Sequence, residues 1–177
     1  MVIVRSSILI LLLFFALSIF SPGQSVPNII NTIKKEIRII DIDSSMQKGT
    51  LQNEEFLKDT PDGGGMMIAY FKNEQVRKIY VCVRLSYGTE IKEYYFMNNL
   101  LIFVYQRFLS FLLYKAGNEF DYTRTETTFE GLYFFHQNKI IRKVTNGHRR
   151  FEDNTANPAR KLLTEAKEDV MMLEKKK

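Results

Sequence analysis

The chain has 177 residues, 45% hydrophobic and 25% charged, with one cysteine and a formal net charge of +5. That length supports a single domain with its own core, and the lone Cys82 excludes an internal disulfide framework. The positive balance admits an anionic partner, but nothing in the sequence supplies a nucleic-acid recognition helix.

Arg5 is followed by an uncharged apolar run from Ile8 to Phe20 and then by Ser21-Pro22-Gly23-Gln24-Ser25. A basic start, an apolar centre, a helix breaker and small residues at Gly23 and Ser25 follow the order of a secretory signal, with cleavage expected after Ser25. The run is shorter than the about 20 apolar residues that span a bilayer, which disfavours a retained anchor. Residues 1–25 are therefore expected to be lost on export to the periplasm or beyond. Arg5 is the only side-chain charge in residues 1–25, so the mature chain is expected to carry +4 and to have no transmembrane span. It lacks an Asn-x-Ser/Thr acceptor, which fits a bacterial envelope protein better than a eukaryotic secreted one.

The mature chain, 26–177, reads as one α+β domain: helix and loop over 26–65, a β-meander over 66–147 and a C-terminal helix over 156–175. In the first part, Ile29, Ile30, Ile33, Ile37 and Ile40 recur at spacings of three and four between Lys34, Lys35, Glu36 and Arg38, which predicts an amphipathic helix. Asp43 to Gly65 loses periodicity and ends in Pro61-Asp62-Gly63-Gly64-Gly65, a connection by composition, with room for a short helix near Glu54 to Lys58.

Strand alternation begins near Met66. It is clearest where Ile79, Val81, Val83 and Leu85 share one face and Lys78, Tyr80, Cys82 and Arg84 the other. Ser86-Tyr87-Gly88 turns into Ile91 to Met97, and Leu100 to Tyr105 is apolar on both faces, as in a covered central strand. Phe108 to Tyr114 reads as a strand extension, a helical turn or an apolar lip. Tyr122 to Thr128, Gly131 to Phe135 and Lys139 to Thr145 complete the sheet. Asn157-Pro158 opens the last helix with a capping side chain and a proline at its first position, and Leu162, Leu163, Ala166, Val170 and Leu173 form its apolar stripe. The expected fold is an antiparallel β-meander of about five to seven strands, with an N-terminal and a C-terminal helix packed on one face.

One pattern occurs three times: Ala69-Tyr70-Phe71-Lys72-Asn73-Glu74-Gln75-Val76, Tyr94-Tyr95-Phe96-Met97-Asn98-Asn99-Leu100-Leu101 and Tyr133-Phe134-Phe135-His136-Gln137-Asn138-Lys139-Ile140. Each is an aromatic strand, a polar turn that tolerates left-handed backbone, and an aliphatic strand, hence a hairpin. Together with the Gly147-His148-Arg149-Arg150-Phe151-Glu152-Asp153 segment, these stretches resemble small uncharacterised exported bacterial proteins with recurring Tyr-Tyr-Phe-x-Asn-Gly-x-Leu-Ile hairpins. Glu74, Asn99 and Asn138 stand where those hairpins have glycine. The outline is also similar to PepSY-like and β-lactamase-inhibitor-like periplasmic modules, a resemblance that implies binding or restraining other proteins and transfers no functional residue.

Catalytic signatures are weak. His136 and His148 sit at a turn edge and a loop without further metal-ligand spacing, Cys82 lies in mid-strand, and Gly63-Gly64-Gly65 lacks the lysine of a phosphate loop. Glu90, Glu93, Glu126 and Glu130 are strand carboxylates that suit hydrolysis only if two converge, and Glu93 with Glu126 is the pair to examine. No catalytic residue, cofactor or metal is expected. The positive charge gathers in Lys139, Arg142, Lys143, His148, Arg149 and Arg150, and the strand region holds nine tyrosines, half of them expected to complete the core. The resulting expectation is a non-catalytic binding module for an envelope protein or an anionic glycan or lipid. Its candidate contacts are that basic cluster with Tyr94 and Tyr133, on a sheet face left uncovered by the helices.

Overall fold

The computed structural model describes residues 25–114, 119–148 and 157–175. The expected signal and the basic pair Arg149 and Arg150 lie outside the described residues. Helix α1 (Val26–Ile42) is followed by β1 (Gln47–Gln52), a single 3-10 turn (Asn53–Glu55), β2 (Gly65–Lys72), β3 (Gln75–Leu85), β4 (Gly88–Met97), β5 (Leu100–Leu113), β6 (Phe120–His136), β7 (Lys139–Gly147) and helix α2 (Pro158–Glu174). The seven strands form one sheet in chain order, antiparallel throughout, as the meander reading expects. No described helix is long and apolar enough to cross a membrane.

The three sequence repeats are three hairpins built alike. The two residues of each turn, Asn73-Glu74, Asn98-Asn99 and Gln137-Asn138, all have φ between 49° and 64°, the left-handed pair of a type I′ turn. Each hairpin then slips by one residue at the same place. Tyr70 pairs with Lys78, Tyr95 with Phe103 and Phe134 with Arg142, which leaves Arg77, Ile102 and Ile141 as bulge residues on the returning strands. Phe108 to Leu113 resolves as strand: β5 and β6 run on as a long hairpin, anchored near its end by the buried Asp121, which accepts from the Thr123 amide (3.0 Å) and from Arg124 Nε (2.5 Å).

The stretch expected to be plain loop contains β1. Gln-Lys-Gly-Thr-Leu-Gln has one apolar residue, Leu51, so it carries no alternating pattern; it is a strand because it pairs residue for residue with Met66 to Phe71. Asn157 caps α2 as expected, its Oδ1 accepting from the amides of Ala159 (3.0 Å) and Arg160 (3.4 Å).

The fold class is as expected except in one respect: the two helices cover opposite faces. α1 buries Ile29, Ile30, Ile33 and Ile40 against Tyr95, Ile102, Phe103 and Phe134. α2 buries Leu162, Ala166 and Leu173 against a second cluster that includes Met67, Ile79, Tyr94, Val104, Tyr133 and Phe135. Successive strand residues point to opposite sides, so Tyr94 and Tyr95 need separate covers, and so do Tyr133 and Phe134. Full burial of each large apolar side chain contributes about 1.5–3 kcal/mol, enough to hold either helix on its own side.

Replacing Asn99 and Asn138, the second turn residues, by glycine is expected to raise stability by about 0.5 kcal/mol each, because glycine takes left-handed backbone without strain. Asn99→Val is expected to cost more than about 1 kcal/mol. Urea denaturation at constant m-value measures both.

Candidate functional site

The residues that carry charge and hydroxyls into the sheet fall into three groups. Beneath α1, Tyr95 Oη lies 2.7 Å from Glu93 Oε2 and 3.0 Å from Asp41 Oδ1. Lys78 bridges the same two carboxylates at 2.8 and 2.9 Å, with its ammonium 4.7 Å from the Tyr95 ring centre. Burial and the neighbouring carboxylates push the Tyr95 hydroxyl well above its ordinary pKa, so it is a fixed proton donor. Arg77, the first bulge residue, pairs with Glu36 and donates to the Phe96 carbonyl, and Lys72 pairs with Asp43. Hydrogen bonds from Lys72 and Ser45 hold the Asp43 carboxyl down at about 2.

Beneath α2 the neighbouring tyrosine repeats the arrangement. Tyr94 donates to Glu165 Oε2 at 3.0 Å, and Lys92 lies 3.0 Å from the same oxygen and 3.5 Å from Glu90. Half-buried Asp169 stands near these groups. Desolvation, helped by the negative charges of Glu165 and Glu168 and opposed by Lys92, raises its pKa to about 7.

The third group lies on the α1 side of the sheet, beyond that helix. Cross-strand register sets Tyr80, Glu93, Tyr105, Leu132 and Val144 in one row, and Cys82, Ile91, Arg107, Glu130 and Asn146 in the next. Tyr105 and Leu132 pack against the edge of the α1 cluster, and Tyr105 donates to Glu130 at 2.6 Å. Along β5 the same face continues through Arg107, Leu109 and Phe111, all half-buried, to Leu113, which is 46% exposed. Tyr122, 65% exposed, meets Phe111 edge-on with ring centres 5.1 Å apart. Arg107 Nε is buried with no hydrogen-bond partner among the described residues.

The expected site residues divide between core and edge. Tyr94 and Tyr133 are 1% and 4% exposed beneath α2, so neither is a contact residue. Tyrosine suits either place in a sequence, and a strand position that a helix covers buries the ring it carries. Lys139, Arg142, Lys143 and His148 are all exposed on or just after β7, the last strand of the sheet. The tyrosines that reach the surface are instead Tyr70, Tyr80, Tyr87 and Tyr105, half-buried, and Tyr114 and Tyr122, exposed. The signal that separates them was strand parity counted through the bulges.

Glu93 and Glu126 do not converge. Glu93 pairs with Tyr105 and Glu126 with Ser110, five positions apart on β5 and hence on opposite faces, roughly 17 Å along the strand. Glu90 and Glu130 have partners of their own in Lys92 and Tyr105. The depression at the end of α1, about 360 Å³, is lined by Asp41, Asp43, Lys48, Tyr70 and Lys78 among others. Its carboxylates are held by lysines, and Lys48 sits 5.3 Å from the Tyr70 ring centre.

The fold and these surfaces define a three-layered α+β meander domain, a sheet with one helix on each face, with one partly open sheet face and one basic edge. No family model, no curated protein and no solved structure matches the chain.

Asp169 gives the fold a pH dependence with a defined sign. Its pKa is raised on folding from 3.8 to about 7, so the folded state holds the proton more tightly. Its contribution is fully present below the unfolded value and is lost as pH rises through the folded one. The melting temperature is expected to rise on acidification from pH 8 to pH 5.5. Asp169→Asn is expected to flatten that rise and to stabilise the protein at pH 8 by on the order of 1–2 kcal/mol.

Proposed function

We propose that this is an exported, non-catalytic binding module that holds another component of the bacterial cell envelope, a protein, against the open part of the α1-side sheet face. The observation that carries the reading is the β5 stripe. Tyr105, Leu109 and Phe111 share one side of a strand with Leu113; the first three are only half-buried and Leu113 is 46% exposed, although apolar side chains of this size gain about 1.5–3 kcal/mol each when fully covered. Tyrosine and arginine, here Tyr80, Tyr105 and Arg107, supply rigid contact area and directed hydrogen bonds at low entropic cost.

The exposed end of the β5–β6 hairpin favours a second reading, contact with a lipid surface. Leu113, Tyr114 and Tyr122 are 46%, 50% and 65% exposed there. That reading requires binding to vesicles that persists in high salt, since Leu113, Tyr114 and Tyr122 carry no charge.

A photo-crosslinking side chain at position 109 tests the first reading, with one at the exposed Glu126, on the opposite face, as control. In envelope extract the site at 109 is expected to trap one protein repeatedly and the control site none of it. Tyr105→Ala is expected to lower the yield at least tenfold at a temperature where circular dichroism shows the variant still folded, since the loss of its packing against the α1 cluster and of its bond to Glu130 also lowers the melting temperature. Equal trapping from both faces, or turnover of an envelope substrate by the purified protein, rejects the reading.

A further inference from the structure

We propose that the outer edge of β7 binds an extended acidic polypeptide segment, which joins the sheet there as an eighth strand. This site is separate from the open face and stands whether or not that face holds a partner.

β7 is the last strand of the sheet and pairs with β6 alone, so the backbone groups on its far side have no ladder partner in the sheet. The edge is suited to accept a strand. Past the bulge at Ile141, six consecutive residues from Arg142 to Gly147 pair with Phe134 to Phe129 without a slip, and all six are exposed. They present about 20 Å of regular ladder with no proline, ended by Gly147 at φ 72°. A short, kinked or proline-bearing edge resists pairing, and this one is none of these beyond Ile141.

Charge names the occupant. Among the described residues, each of the cations that α1 meets on β2 and β3, namely Lys72, Arg77 and Lys78, is paired with an acid, and so is Lys92 under α2. Lys139, Arg142 and Lys143 make no ion pair there. Lys143 contacts only the Tyr133 ring, 6.0 Å from its centre. Arg142 and Lys143 are adjacent and point to opposite faces, so an added strand meets a cation whichever face its acids take. Beside Arg142, a cleft of about 310 Å³ between the start of α1 and β7 is lined by Lys34, Ile30 and Ile141, room for one side chain of mixed character. A second copy of β7 is the wrong occupant, because antiparallel pairing of two such edges sets cations against cations. β1, at the other edge, carries the single cation Lys48.

The test uses a fluorescent synthetic peptide of about nine residues in which glutamate alternates with valine and threonine, added to the purified protein and followed by anisotropy. Binding is expected for this peptide and not for its lysine counterpart. N-methylation of alternate residues is expected to abolish binding in one register and spare it in the other. Lys139→Glu with Arg142→Glu is expected to weaken binding at least tenfold, with circular dichroism and melting temperature unchanged because both side chains are exposed.

Equal binding by the lysine peptide overturns the assignment of charge, and full binding by both N-methylated peptides overturns strand addition. A dimer whose β7 amides are protected from exchange before peptide is added assigns the edge to a second copy. Binding to anionic vesicles that responds to the same substitutions, with no peptide binding, assigns it to lipid. Either result overturns the proposal.

Discussion

The structure depends on a pair of adjacent tyrosines in the middle of the sheet. Tyr94 and Tyr95 are 1% and 3% exposed, and the pleat turns them to opposite sides. Two large rings back to back cannot both be covered by one helix, so the chain needs a helix on each face. Each phenol must also keep a hydrogen bond when buried. Tyr94 finds Glu165 on α2, while Tyr95 shares Asp41 on α1 with Glu93. A lysine from the neighbouring sheet positions, Lys92 or Lys78, balances each helix carboxylate. Both helices are thus fixed by the same device, an acid held between a tyrosine and a lysine, which gives direction to an apolar contact that alone would let a helix slide.

Register makes the device possible, and the turns set the register. A one-residue slip in β4 would turn Tyr94 and Tyr95 to the wrong faces and separate Glu165 from both Tyr94 and Lys92 and Asp41 from Tyr95. The left-handed pairs at Asn73-Glu74, Asn98-Asn99 and Gln137-Asn138 fix the pairing, and the bulge that follows each sends one extra side chain toward α1. Ile102 and Ile141 occupy that place in the second and third hairpins and extend the apolar floor under the helix. In the first hairpin the place holds Arg77, which meets Glu36 instead. One backbone geometry, repeated three times, therefore gives α1 an apolar footing over β5 to β7 and an ionic one over β2 and β3.

Much of this was legible from local pattern. The hairpins announced themselves because asparagine next to an aromatic strand has a specific backbone use, and the helices did because isoleucine or leucine recurred at their spacing. β1 was not legible, since a strand with one buried side chain has no alternation and exists through its partner. Nor was the sidedness of the helices. Tyr-Tyr in a strand says that both faces hold rings, not that both are covered, and Tyr94 and Tyr133 were misread as contacts for that reason. Nothing local marks Lys78 and Lys92 as largely buried, yet their side chains are 17% and 13% exposed, because the acids that hold them are 37 and 73 residues away in sequence. What failed was inference across long sequence separation, where composition is silent about partners.

The distribution of charge follows from the same separation. A net charge of +5 is small, but ion pairing is uneven in the described fold: Glu36 and Asp41 of α1 and Asp43 just after it hold Arg77, Lys78 and Lys72, Glu165 holds Lys92, and Lys139, Arg142 and Lys143 of β7 make no ion pair among the described residues. Lysines 72, 78 and 92 can be explained by what they hold. Those on β7 hold no acid in the described fold, and their mutual repulsion acts against it. Such a row beside an open backbone ladder repels further copies of the chain by the same physics that attracts a chain of opposite charge. The edge is therefore selective in a way the open face is not: apolar cover is indifferent to its source, while a ladder flanked by cations discriminates by sign before any side chain is seated.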